Sequence, residues 1–452
     1  MLKSYLLLAR RLGSCVVIGT CISAAPAAFA DDQAERIKSL EDRLERSLKM
    51  IEKLSARLAE VERNAKTPQP KPDEASANRH EPAPDVARLQ DSVNQMSDSL
   101  GKRSSDTGLP VHGFADVGAA WSSGADPAPL RGFSVGTLDL YLTPQVSDRV
   151  KALAEIAFEF DQRSEGSVDM ERLQLGYTAN DQVTLWAGRF HTPFGLWNTS
   201  FHHGANLQTS IFRPRFVEFE DKGGIIPAHS VGVWASGRAR LGVSRLTYDV
   251  YMSNGPSIRA RRLDPNPFTD DTSNKLVGFN VGYQPAGVAG GLTMGVHGFG
   301  ATVDTFTPAA TVLNSTRLRA AGVYFGYDAD EWETIGEYYA FRNVDVPTAT
   351  GHSSNAGFLH VGRAYGALTP YVRYERTSLN PADNYFRSQA QGRTYLRNVV
   401  GARYALDLRS SLKFELSRTR EAAQLQLDET GALVPFSGGT YRRAAFQYSL
   451  AF

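Results

Sequence analysis

Between residues 191 and 229 the sequence gathers groups that could act on ions. Arg213, Arg215, Glu218, Glu220, Asp221 and Lys222 fall close together, interleaved with Trp197, Phe201, Phe212, Phe216 and Phe219. Aromatic rings at that density let a segment pack against a wall. Charges fixed where little water screens them bias which ions pass. His191, His202, His203 and His229 fall in or beside the same stretch, and neutral imidazole is a common metal ligand. No compact ligand spacing and no paired cysteine accompanies them, so hydrogen bonding within the segment is their expected role, and no metal or cofactor is expected. Nor do Ser, His and an acid stand in a recognisable nucleophilic arrangement, so no catalytic residue and no enzyme activity are expected. The segment reads as an insertion folded inward to narrow an opening. An outward fold over a rim is the competing reading.

Such a loop needs a wall, and alternation supplies one. At the C-terminus Ala444, Phe446, Tyr448, Leu450 and Phe452 share one face of an extended strand, and Arg443, Ala445, Gln447 and Ser449 share the other. One face suits lipid and the other a wet lumen, and closure leaves no strand edge unpaired in hydrocarbon. Sixteen such segments fit the chain. The first eight lie near 111–122, 131–146, 151–161, 169–178, up to about 190, 230–237, 242–253 and 275–285. The rest lie near 291–304, 316–327, 331–343, 354–365, 368–378, 392–407, 411–420 and 439–452. Short turns alternate with longer loops. A soluble β-sandwich would also alternate, but outward runs such as Leu412, Phe414 and Leu416 favour an all-β transmembrane barrel of about 16 antiparallel strands. A barrel of that width holds an aqueous channel unless a loop intrudes. Parity assigns Glu155, Glu159 and Asp161 to one sector of the pore wall, and Arg373, Glu375, Arg397 and Arg403 to others. Opposed acidic and basic walls would set up a transverse field. Arg189 shares parity with outward Val183, Leu185 and Ala187, and would face outward unless its strand bends.

The other end of the chain implies export. Lys3, Arg10 and Arg11 precede an apolar run from Cys15 to Ala24, and Ala28-Phe29-Ala30 gives a cleavage pattern before Asp31, so residues 1–30 read as a signal peptide. Both cysteines fall within it. Its removal takes basic residues from 49 to 46 against 48 acidic, and that balance argues against nucleic acid as a partner. Residues 31–66 repeat every seven: Ile37, Leu44, Ile51 and Leu58 fill one core position, and Leu40, Leu54 and Val61 fill the other, with Ser47 between them. That is a periplasmic α-helical coiled coil, and so short a helix would be marginal without a partner. A proline-rich linker, 67–85, follows. A short helix and connector, 86–109, leads into the barrel, 110–452.

An exported chain of this layout, with Gly188-Arg189-Phe190-His191-Thr192-Pro193-Phe194-Gly195 before its long loop and Pro370-Tyr371-Val372-Arg373-Tyr374-Glu375 in a later strand, resembles the phosphate-selective porin and DcaP-like channel group. The resemblance implies an outer-membrane location in a Gram-negative bacterium, a homotrimer in lipid, a constriction made by the inward loop, and passive diffusion of small hydrophilic, often anionic solutes. The long loop mixes acids with bases and lacks a dense ladder of Lys and Arg, so phosphate selectivity does not carry over. For the coiled coil, peptidoglycan or a periplasmic partner remains open. The alternative function is an envelope tether or adhesin that uses the barrel only as an anchor.

Overall fold

A computed structural model describes residues 111–452 apart from 145, 161–165, 202–204, 220–221, 266, 269–271, 287–290, 390–391 and 428–431. The expected signal peptide, coiled coil, linker and connector lie outside the described residues, as do Asp161, His202, His203, Glu220 and Asp221.

The first half of the barrel wall is built from β1 (Val111–Gly124), β2 (Arg131–Leu142), β3 (Val150–Phe160), β4 (Gly166–Asn180), β5 (Val183–His191), β6 (His229–Leu241) and β7 (Ser244–Asn254). A short hairpin of β8 (Ser257–Arg259) and β9 (Arg262–Asp264) follows, then β10 (Lys275–Gln284), β11 (Leu292–Phe306), β12 (Val312–Ala329) and β13 (Trp332–Asp345). The wall ends with β14 (Thr350–Arg363), β15 (Leu368–Ser378), β16 (Tyr395–Ala405), β17 (Ser410–Glu421) and β20 (Gly439–Ala451), with a second hairpin of β18 (Gln424–Leu427) and β19 (Leu433–Phe436) ahead of β20. Setting aside the two hairpins, sixteen strands pair antiparallel with their neighbours, and β20 returns to β1 along Phe114↔Ala451 to Gly124↔Tyr441. The sheet is closed. The strand positions read from alternation hold to within a few residues at their ends. The two hairpins, in outer loops, had no sequence expectation.

Period-two patterning explains the wall. Val233, Val250, Val277, Val323, Val372, Val400, Phe414 and Phe446 all point out and are exposed, as a lipid-facing band requires. Most of their inward neighbours are buried, and the apolar core lies inside the barrel, where Phe299, Leu318, Tyr339, Phe341 and Phe358 meet Phe194, Trp197, Phe216 and Ile225 of the long loop. Burying one such ring contributes about 1.5–3 kcal/mol. On the turn side the connections are tight: Asp330 and Glu331 both adopt positive φ, 53° and 68°, which suits the two-residue hairpin between β12 and β13. In the turn between β16 and β17, Asp407 accepts from the Arg409 and Ser410 amides at 2.7 Å each.

Candidate functional site

The long loop enters through a bend. Gly188 has φ +121°, and a Cβ there would overlap the Leu173 carbonyl. This bend turns Arg189 from its outward parity: its Nε donates to the Glu171 carbonyl at 3.1 Å and its guanidinium lies 4.2 Å from the Phe268 ring. The neck is then closed by Thr192 N on the Ala228 carbonyl at 2.9 Å, and by Asn198 Nδ2 on the Thr192 and Ala228 carbonyls at 2.9 and 3.2 Å. His191 and His229 flank the neck, 3.3 Å from Glu155 and 2.7 Å from Glu171 respectively. Gly195, at φ +59°, packs where a Cβ would strike Glu337 and Tyr339. These two glycines bracket the Gly188–Gly195 motif and explain it physically.

From the neck the loop crosses the lumen. Glu337 of β13 accepts the Leu196 amide at 3.0 Å and the Trp197 amide, fixing a four-residue helix α1 (Trp197–Ser200). Farther along, Lys413 Nζ of β17 donates to the Gln208 and Ser210 carbonyls at 2.7 and 3.3 Å. Glu415 accepts the Ile211 and Phe212 amides at 3.1 and 3.3 Å, and the Tyr371 hydroxyl at 2.9 Å. Arg373 donates to the Phe212 carbonyl at 3.0 Å and to Glu375 at 2.8 Å, while Glu375 also accepts the Arg215 amide at 2.8 Å. Arg397 lies 3.4 Å from Glu415 and 3.9 Å from Glu375. The segment is therefore sewn by its backbone to wall side chains of β13, β15 and β17, and it returns past β3, where Lys222 Nζ donates to Glu159 at 2.6 Å. The outer loop 379–394 closes over it, with the Tyr385 hydroxyl on the Ile225 carbonyl at 3.0 Å.

These contacts set several predicted residues differently from their sequence expectation. Arg213 and Arg215 are 4% and 7% exposed and do not stand free in lumen water. Arg213 donates to the Val217 and Phe201 carbonyls and to Asn198 Oδ1 at 3.0 Å each, with Glu218 at 3.7 Å. Arg215 pairs with Glu421 and lies 4.8 Å from the Tyr395 ring centre. Burial alone would lower its proton affinity, but Tyr441 and Glu421 outweigh that and hold it above the ordinary arginine range. Arg373, Glu375 and Arg397 are likewise buried and interleaved with Glu415 on three adjacent strands, so they make no separate basic wall. The physical reason is that the loop covers them, and a covered charge without a partner is costly. Glu155 is buried against Arg172. Glu159 and Lys222 remain in contact with solvent, Lys222 most of all. Arg403 is half-buried, across from Lys413 and below the loop.

Sequence reasoning gave no role to Glu337, Lys413 or Glu421. Their inward parity was legible, but their loop partners (amides for Glu337, carbonyls for Lys413 and the Arg215 guanidinium for Glu421) lie more than a hundred residues away and leave no local signal.

Past β20 from the anchoring strand β17, the inward positions of β1 and β2 carry small or polar groups that keep solvent contact: Asp116, Gly118, Ala120, Ser122 and Ser134. Here the loop presents Leu207, 49% exposed between the wall-bound Asn206 and Gln208. The loop 125–130 is drawn in by a two-point pair of Arg443 with Asp126 at 2.7 Å. Burial raises the Asp126 carboxyl, but Arg443 more than offsets this and holds it below the ordinary carboxylate range.

No family model matches the sequence, and no curated protein matches it either. Among solved structures, an anion-selective porin from Comamonas acidovorans is 14% identical, with 76% of this chain and 99% of that chain covered at a TM-score of 0.50. The outer membrane channel DcaP of Acinetobacter baumannii is 14% identical over 76% and 97%, at 0.47. Salmonella typhi OmpF in complex with daunomycin is also 14% identical over 76% and 97%, at 0.47. At such identity the likeness to the first of these concerns architecture, and it agrees with the closed wall described above: this chain has the sixteen-stranded fold of an outer-membrane porin.

Proposed function

We propose that the protein is a passive outer-membrane channel for small hydrophilic solutes, anions among them, with its path running beside β1–β4 and narrowed by loop 191–229. One observation carries the reading: the loop is bonded to one side of the lumen wall, while the inward face of β1 and β2 stays wet. A solute on that path meets Glu159, Lys222 and Arg172 near the loop. At the turn side, Lys151, Arg238, Arg240 and Arg245 are exposed on inward register positions of β3, β6 and β7. Such an arc of cations raises the local concentration of anions, which supports an anion bias. The apolar outer face of β2–β6 suits contact with sister subunits. In this reading the barrels associate as a homotrimer, and the 31–66 segments form a shared periplasmic bundle through Ile37, Leu40, Leu44, Ile51, Leu54, Leu58 and Val61.

Planar-bilayer recording of the purified full chain tests the proposal. Stable open steps with a reversal potential favouring anions, reduced in the R238Q/R240Q/R245Q variant, are the expected result. A sealed barrel would remove the channel reading and return the chain to an envelope anchor.

A further inference from the structure

The outer surface of the barrel is unequal around its circumference. On β3 and β4 the outward residues stay apolar to the long-loop end, with Phe160, Val168 and Met170 exposed there, and on β2 Phe133 is 92% exposed. On β12, β13, β15, β17 and β20 the corresponding outward positions are arginines. Arg418 and Arg420 occupy alternate sites just beyond Phe414 and Leu416, and Arg376 lies two residues beyond Tyr374. Alternation on a strand keeps both members of Arg418-Thr419-Arg420 on the lipid side. The same spacing recurs in Arg317-Leu318-Arg319 of β12.

Register brings these cations together. Arg418 is directly opposite Arg442, and the row continues through Asn398 to Tyr374. One step outward, Arg376 and Arg420 flank Leu396. Across β12 and β13, the pairings Arg317↔Val344 and Ala320↔Phe341 set Arg319 across from Arg342. All are exposed. Arg342 donates to Ser353 Oγ at 2.8 Å, and the nearby acid Asp304 is taken by Asn274 and Ser315. None of these arginines has an ion-pair partner among the described residues. Like charges directly opposite on one face of a sheet repel, so two such pairs at the edge of an apolar band disfavour the isolated barrel.

We propose that this face is a belt that binds the phosphate groups of a phosphorylated glycolipid in the outer leaflet. Neighbouring strands are about 4.8 Å apart, so one phosphate can sit between paired guanidinium groups and accept from both. The fork of each guanidinium matches phosphate geometry, and the long side chains can extend from the apolar band to headgroup depth. Charge complementarity selects a phosphorylated lipid over a neutral one. The apolar outward face of β3 and β4 has no such capacity, and the outward Arg131 of β2 lies across from Trp121 with no paired cation. The proposal does not depend on conduction.

The test uses the purified full chain in detergent and measures its binding of a bisphosphorylated glucosamine-disaccharide lipid and of the same lipid without phosphates. The chain should hold the phosphorylated lipid about ten-fold more tightly, as charge-assisted two-point contacts require. In R319Q/R342Q/R418Q/R442Q that preference should vanish, with single-channel conductance unchanged. If the fourfold variant does not fold by heat-modified gel mobility, R418Q/R442Q and R319Q/R342Q separately should each lose part of the preference. Equal binding of both lipids by the unaltered chain would overturn the proposal, as would an undiminished preference in the variants. So would displacement of the lipid by inorganic phosphate at matching concentration, which would point to a site for the free ion.

Discussion

The two sides of the lumen are built from the same alternating strands, yet they end up in opposite states. On β11–β17 the inward residues are almost all buried, either as rings and aliphatics such as Phe299, Leu318, Phe341 and Phe358 or as paired charges such as Arg373, Glu375 and Glu415. On β1 and β2 the inward residues are mostly small or polar, and most keep solvent contact. Strand pattern alone does not set this difference. It comes from what the loop offers each wall: rings for the apolar stretch, and backbone amides and carbonyls for the charged one. An inward charge here therefore does one of two things: it holds the loop or it faces the open lumen.

Removing the loop should erase the contrast. Deletion of residues 206–222 is expected to raise single-channel conductance several-fold, because the mass bonded to β13, β15 and β17 is lost. Unchanged conductance in a correctly folded variant would mean that the path does not pass this loop.

Cutting one anchor should come next in size. Glu415→Ala leaves Arg373, Arg397 and the Ile211 and Phe212 amides short of an acceptor, and breaking a buried pair in this way costs about 3–5 kcal/mol. The temperature at which the barrel loses its folded gel mobility should fall clearly. Glu415→Gln, which keeps the shape and an acceptor oxygen, should fall less.

The loop arginines sharpen the distinction between holding and facing. Arg215→Gln should lower the same transition, by about 1.5–3 kcal/mol for lost bonds to charged partners, with little change in reversal potential. Lys222→Gln should do the reverse, with little loss of stability and a shift of reversal potential toward cations that shrinks at high salt, because its side chain is 41% exposed. If Arg215 moved selectivity more than Lys222, the two roles would be assigned the wrong way round.

The smallest effect should be one of pH. The Asp126 carboxyl is held below its ordinary value by Arg443, so its contribution is present above the unfolded-state value and is lost as pH falls through the depressed one. Protease cleavage within 125–130 should therefore quicken only in strongly acidic solution, and Asp126→Asn should remove that dependence.

Much of this wall is legible in the sequence. Strand faces follow from residues such as Ile156, Phe158 and Glu155 alone, and the long loop stands out by its length and rings. Arg189 is not legible, because the bend at Gly188 turns it against its parity. The roles of Arg213, Arg215, Arg373 and Arg397 are equally hidden. An inward charge reads the same whether water or a loop covers it, and the cover is decided by contacts such as Arg215 with Glu421, 206 residues apart.

The central claim is that solutes pass beside β1–β4 and are shut out from the inner face of β11–β17. Both cysteines of the sequence lie in residues 1–30, so a single introduced thiol reports alone once that segment is removed. Ser134→Cys stands on the wet side and Ser354→Cys, at 5% exposure, on the covered side. With a charged, membrane-impermeant thiol reagent, rapid labelling of Ser134→Cys with a drop in conductance, and none of Ser354→Cys until the barrel is unfolded, is the predicted result. Equal labelling at both positions, or labelling of Ser354→Cys first, would contradict it.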